Sequence, residues 1–147
     1  MKKYRKGVFF ATYYLSKEKP FYLIQKRKLH WKGWEFPKAG VKILESYKHA
    51  IKRELKEETG LTPLKITKFK EKGKYKYSRK LKDRKDFIGQ TYILYAVETK
   101  KGKLKIDKRE HYSEKWLDFN KAIKIISHRN QRKCLRIVNN SLKHDKV

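Results

Sequence analysis

Residues 46 to 60, SYKHAIKRELKEETG, constrain the fold more than any other stretch, because they specify a helix together with both of its ends. Ser46 is placed to cap it, Tyr47 through Thr59 contain neither Gly nor Pro, and Gly60 supplies the C-terminal stop. The helix also carries Glu54, Glu57 and Glu58. With about 100° of rotation per residue, the three fall within an arc of roughly 100°, so their carboxylates are able to converge. Like charges at this spacing repel by roughly a few tenths of a kcal/mol per pair. Two arrangements offset that equally well: hard oxygens gathered around Mg²⁺ or Mn²⁺, or a salt-bridge surface built with basic neighbours such as Arg53.

The flanking segments alternate between strand and helix signals. GVFFATYYL (7 to 15), FYLIQKR (21 to 27) and FIGQTYILYAVE (87 to 98) are rich in β-branched and aromatic residues and read as strands. The turn-like SKEKP joins the first two as a hairpin. Gly33, Pro37 and Gly40 interrupt residues 30 to 45, which read as a loop anchored by Trp31, Trp34 and Phe36. Residues 72 to 86 carry eight Lys or Arg with Tyr75 and Tyr77, and read as a strand edge entering a basic hairpin loop. EKWLDF gives a short strand, and a helical segment runs from about Asn120 to Lys143. The expected architecture is one α/β domain spanning residues 1 to 147.

Composition narrows the partners. The chain has 42 Lys and Arg against 15 Asp and Glu, a formal charge of +27, which predicts attraction for polyanions without choosing among nucleotide, nucleic acid and phosphorylated metabolite. Cys134 is the single cysteine and the five histidines are scattered, so neither a disulfide framework nor a zinc cluster is expected. No apolar stretch approaches the ~20 residues that span a bilayer. The lysines are spread along the chain rather than gathered on one amphipathic helix, which argues against a membrane partner. A cytoplasmic protein is expected. The oligomeric state has no signature in the sequence.

The pattern Glu45, seven residues, Arg53-Glu54-Leu55-Lys56-Glu57-Glu58-Thr59-Gly60-Leu61 resembles the Nudix box. The departures lie in its loop. The box glycine falls on Ala39, with Gly40 one residue late, and an acidic residue and a second glycine are replaced by Lys42 and Leu44. Trp34 to Ala39, WEFPKA, resembles the approach to the box in diadenosine tetraphosphate hydrolases and related decapping enzymes. Gly89-Gln90-Thr91-Tyr92 is similar to the Gly-Gln strand of bacterial RNA pyrophosphohydrolases, and Glu110 to Trp116 resembles a late Glu-His segment of the family.

The resemblance implies a Nudix fold, a mixed sheet between α-helices, and hydrolysis of a nucleoside diphosphate derivative by water attack on phosphorus with Mg²⁺ or Mn²⁺. Glu54, Glu57 and Glu58 carry over as metal ligands, with Glu54 or Glu57 as base. Arg53 holds a box glutamate, Glu45 supports the loop or an outer metal shell, and the Lys38 carbonyl and Glu110 are additional ligand candidates. Gln90 joins the substrate contacts through the Gly-Gln likeness. From residue chemistry, Arg27, Lys38 and the basic loop from Arg79 to Lys85 are candidates for phosphate, and Tyr75 and Tyr77 for stacking on a base. Trp116 and Cys134 read as core, and His111 as structural. The leading expectation is a hydrolase of dinucleoside polyphosphates. A 5′ RNA pyrophosphohydrolase or decapping enzyme, and a silent nucleic-acid-binding module, are the alternatives.

Overall fold

The strand β2, Gly7–Ser16, is apolar on both of its faces, and this dictates the layering. Val8 and Phe10 enter one core with Ala50, Ile51 and Leu55 of the helix α1, Tyr47–Thr59. Phe9, Ala11 and Tyr13 alternate into a second core with Ala122, Cys134, Leu135 and Val138. A strand buried on both faces requires a cover on each side of its sheet. The computed structural model, which describes residues 3–28, 32–102, 104 and 111–144, supplies both covers. On the first side lies α1; on the second lie α2, Phe119–Ile125, and α3, Arg129–His144. The result is the mixed sheet between helices that the resemblance implied.

The sheet is organised around β7, Phe87–Glu98, which runs parallel to both β2 and the short β1, Lys3–Arg5. The strand β3, Lys19–Arg27, pairs antiparallel with β2 through a two-residue turn whose Lys17 and Glu18 have φ of 50° and 66°. Positive φ at both turn residues is the backbone of a type I′ hairpin, whose twist matches the strands it joins. Alongside β3 lie β4, Gly33–Glu35, and β8, His111–Asp118. β5, Lys38–Gly40, pairs with β2, and β6, Lys65–Lys76, forms an antiparallel hairpin with β7.

Three expectations change. Residues 30 to 45 are not loop throughout: the segments either side of Pro37 become β4 and β5, because β3 and β2 present open edges to them. Phe36 is the anchor expected there, fully buried, and Trp34 packs against the second core. Trp31 lies outside the described residues. The C-terminal helical segment is two helices, broken between Ile125 and Arg129. At the break, the Ser127 N–H donates to Trp34 O at 3.0 Å and Ser127 Oγ accepts from Trp34 N at 2.9 Å, so the chain exchanges helical bonds for a clasp on β4. The third change is β6, which starts at Lys65, ahead of the basic segment. Cys134 is buried as expected, its thiol pushed up to about 12 by that burial. Trp116 is only half-buried, edge-on to Tyr14.

Candidate active site

The ends of α1 form as its sequence dictates. Ser46 Oγ accepts from His49 N at 3.0 Å, and Gly60, with φ of 77°, returns its N–H to Lys56 O. Arg53 ties this helix to the preceding loop. Its Nε donates to Glu45 Oε2 at 2.8 Å and its Nη2 to Glu45 Oε1 at 2.9 Å, a fork on a carboxylate. The same guanidinium donates to Gly40 O at 3.1 Å and to Glu54 Oε1 at 2.7 Å. The Arg53 fork, with a backbone N–H from Lys42 and the His49 ring, holds the Glu45 carboxyl far below the usual carboxylate range.

The fold accounts for the loop departures. Ala39 sits buried in β5 opposite Val8 and does not have positive φ, so an alanine fits where the box has glycine. Gly40 meets the steric demand instead: a Cβ there would collide with the Arg5 guanidinium. The left-handed conformation falls on Leu44, at φ 64° with its side chain fully exposed. Leu44→Asn is therefore expected to stabilise the fold by about 1 kcal/mol, since it relieves αL strain and sacrifices no packing. Urea unfolding would check this, and no gain would show that the strain is relaxed in solution.

Beside the Glu54 carboxylate lies a cleft lined by Arg5, Arg27, Lys38, Arg84 and Gln90. Two of its cations are buried beside Glu35, which lies 3.6 Å from both Arg27 Nη1 and Lys38 Nζ, and the three side chains are at most 9% exposed. Burial pulls the Lys38 ammonium down to about 8 against the opposing pull of Glu35. Burial, and after it the Arg84 charge, lowers Arg5 as well. A pocket with this surplus of desolvated positive charge suits phosphate oxygens. Lys38 also lies 3.4 Å from the Tyr75 hydroxyl and opens onto a second cavity of about 270 Å³, walled by Phe9, Tyr75, Tyr77, His128 and Asn130. The Tyr77 hydroxyl accepts from Arg84 at 3.1 Å and contacts Gln90 at 3.4 Å, linking the two chambers.

The three box glutamates differ in exposure. The Glu58 carboxylate is buried, Glu54 is largely buried against Arg53, and Glu57 is 61% exposed, 3.9 Å from Arg53. Among the described residues no three His, Cys, Asp or Glu side chains are gathered into a ready cation site, so the expected convergence on one point is not preformed. The donor chemistry nevertheless fits a hard divalent ion, being carboxylate oxygen throughout on one helix. A further acid stands nearby: Gln25 Nε2 donates to Glu114 Oε1 at 2.6 Å and lies 3.5 Å from Glu58 Oε2.

The model of the NUDIX domain family matches residues 3–136, and the box helix and its loop lie within that match. The chain is a Nudix hydrolase. No curated protein matches it in sequence. Solved structures do share its fold. A C. elegans Ap4A hydrolase in a binary complex is 22% identical, with a TM-score of 0.76 over 95% of this chain and 98% of that one. The NUDIX domain of Shewanella oneidensis NrtR, complexed with ADP ribose, is 14% identical, with the same TM-score over 97% and 90%. The E. coli dihydroneopterin triphosphate pyrophosphohydrolase is 18% identical at 0.72, over 91% and 95%.

Within this Nudix site, the fold brings Arg27, Lys38 and Gln90 to the cleft and Tyr75 and Tyr77 to the adjoining cavity. Arg79 does not line either chamber; it borders an open basic surface beyond Tyr77, and the cation of that loop in the cleft is Arg84. Glu110 lies outside the described residues. Sequence reasoning does not find Arg5, Glu35, Gln25 or Glu114, and it reaches Arg84 only as one cation of the loop from Arg79 to Lys85. Glu114 has one local signal, its place four residues along the same segment as Glu110, but its nearness to Glu58 depends on pairing opposite Gln25 across β3 and β8.

Proposed function

We propose that this Nudix hydrolase is a Mg²⁺- or Mn²⁺-dependent pyrophosphohydrolase of nucleoside polyphosphates, acting on dinucleoside polyphosphates such as diadenosine tetraphosphate. One observation carries the reading: Lys38 joins a cationic cleft beside Glu54 to an aromatic cavity large enough for one nucleoside. The likeness to an Ap4A hydrolase supports it. Glu54, Glu57 and Glu58 would hold the metal, with Glu110 and the Lys38 carbonyl as further ligand candidates. Bound there, a divalent ion lowers the pKa of the attacking water and neutralises phosphoryl oxygens. Arg27, Lys38, Arg5 and Arg84 bind the polyphosphate, and Tyr75 and Tyr77 face the base. Glu54 or Glu57 accepts the proton of the attacking water, while Arg53 fixes the direction of the Glu54 carboxylate.

A second reading, hydrolysis at an RNA 5′ end, draws on the open surface formed by Lys76, Arg79, Lys80 and Lys85, which continues outward from Tyr77. Salt separates the two. Arg79, Lys80 and Lys82 replaced together by Ala should change kcat/KM for diadenosine tetraphosphate less than about threefold, because a dinucleotide offers few phosphates beyond the cleft. Turnover of 5′-triphosphorylated RNA would be followed at several ionic strengths in the same proteins. A steep, salt-dependent loss confined to RNA, with RNA the better substrate of the parent, makes the second reading the primary one. No turnover of either substrate in Mg²⁺ or Mn²⁺ overturns both.

A further inference from the structure

The strand β6 carries a row of lysines that neither the proposed reaction nor the packing uses. Lys68, Lys72, Lys74 and Lys76 pair opposite Tyr95, Ile93, Thr91 and Gly89 of β7, so all four project from the same face of the sheet as α1. All four are exposed, and none forms an ion pair among the described residues. Lys70, in the irregularity of the strand, joins Lys68 and Lys72 around a shallow depression floored by Phe69 and Ile93. The helix α1 packs on β2 and β5 and leaves this outer part of the face uncovered.

Lysine is disfavoured in strands, and like charges side by side on a sheet repel. One or two lysines are enough to keep an edge strand from pairing with another chain. A row this long calls for a ligand that neutralises it. Along Lys72, Lys74 and Lys76 the charges recur every two residues, about 6.8 Å apart at strand rise. That period resembles the spacing of successive phosphates on an extended strand. Aromatic surface is interleaved with it. Tyr4 packs beside Gly89, where an added Cβ would stand 2.8 Å from its ring, and Lys74 Nζ sits 4.8 Å from the ring centroid. Lys6 stacks in the same way on Tyr47, at 4.7 Å. Cationic groups set among tyrosine rings match a chain of phosphates bearing bases, whereas phosphate alone would need no rings.

We infer that the β6 face binds single-stranded nucleic acid along its backbone, over the lysine row that α1 leaves uncovered. This surface is independent of which phosphoric anhydride is hydrolysed, so the test reads binding. A 5′-fluorescein oligouridylate of about twenty nucleotides, long enough to cover the strand, is titrated in EDTA and followed by anisotropy over a series of salt concentrations. The variant replaces Lys68, Lys70, Lys72 and Lys74 by Gln, leaving Lys76 in place. Its affinity should fall at least tenfold, and its salt slope should become shallower by about 0.7 for each phosphate that is no longer neutralised. The same four lysines changed to Arg should retain both affinity and slope, and thermal melting would verify that each variant is folded. Tyr4→Leu should weaken oligouridylate binding while leaving inorganic polyphosphate binding unaffected. Equal affinity and slope in the parent and the folded Gln variant would overturn the proposal. So would polyphosphate binding as tightly as oligouridylate of equal charge, or a duplex binding more tightly than the single strand. Diadenosine tetraphosphate turnover, followed in the same proteins, reports separately on the reaction.

Discussion

Glu57→Gln is expected to lower kcat at least ~100-fold in Mg²⁺ while leaving the melting temperature unchanged. The substitution removes one negative charge at nearly constant shape. With its side chain 61% exposed and its nearest described cation 3.9 Å away, Glu57 contributes little to packing. A loss of rate therefore reports on metal or proton handling rather than on folding. Steady-state turnover in Mg²⁺ and Mn²⁺, with metal titrations, gives the answer. A variant with the parent's rate in Mg²⁺ would remove Glu57 from the site, and the acids close to the cleft, Glu54, Glu58 and Glu114, would take over the assignment.

Arg53→Ala should cost both activity and stability. Arg53 joins the Glu45 carboxylate, the Gly40 carbonyl and the Glu54 carboxylate, so its removal releases the loop from the helix and Glu54 from its fixed direction. We expect stability to fall by about 3 kcal/mol at pH 7, as when one partner of a largely buried pair is removed, with turnover falling ~100-fold. The pH dependence has a defined sign. Glu45 has a lower pKa folded than unfolded, so its contribution is complete above the ordinary carboxylate pKa of 4.5 and is lost as the pH falls below that value. The stability difference between parent and variant should accordingly shrink between pH 5 and about pH 3 in urea titrations. A constant difference across that range would mean that the Arg53 contribution is not electrostatic.

The features legible in the sequence are those whose cause is local. The helix from Tyr47 to Thr59 is legible because cap, stop and breaker-free interior lie within one stretch. The strands from Gly7 and Phe87 are legible because a two-sided core demands continuous apolar sequence. Expectation and structure part where a distant partner decides. β4 exists because β3 offers it an edge, and the split between α2 and α3 exists because Ser127 clasps Trp34, 93 residues away.

The candidate site divides in the same way. By itself the sequence determined that a helix would carry Glu54, Glu57 and Glu58 on one arc, and that the chain would attract polyanions. Helical period and net charge need no tertiary information. Only the tertiary structure decided which cations from distant segments meet beside Glu54. Arg5 from the first strand, Arg27 from the third and Arg84 from the basic loop reach one cleft because β1, β7 and β2 lie side by side and Gly40 leaves room for a guanidinium. The same holds for Glu114, which approaches Glu58 through the register of β8 on β3. It holds too for Leu44, whose left-handed φ of 64° no residue-type signal in the loop foretold. Side-chain type is written in the chain, but the distance between two side chains far apart in sequence is a property of strand order and register.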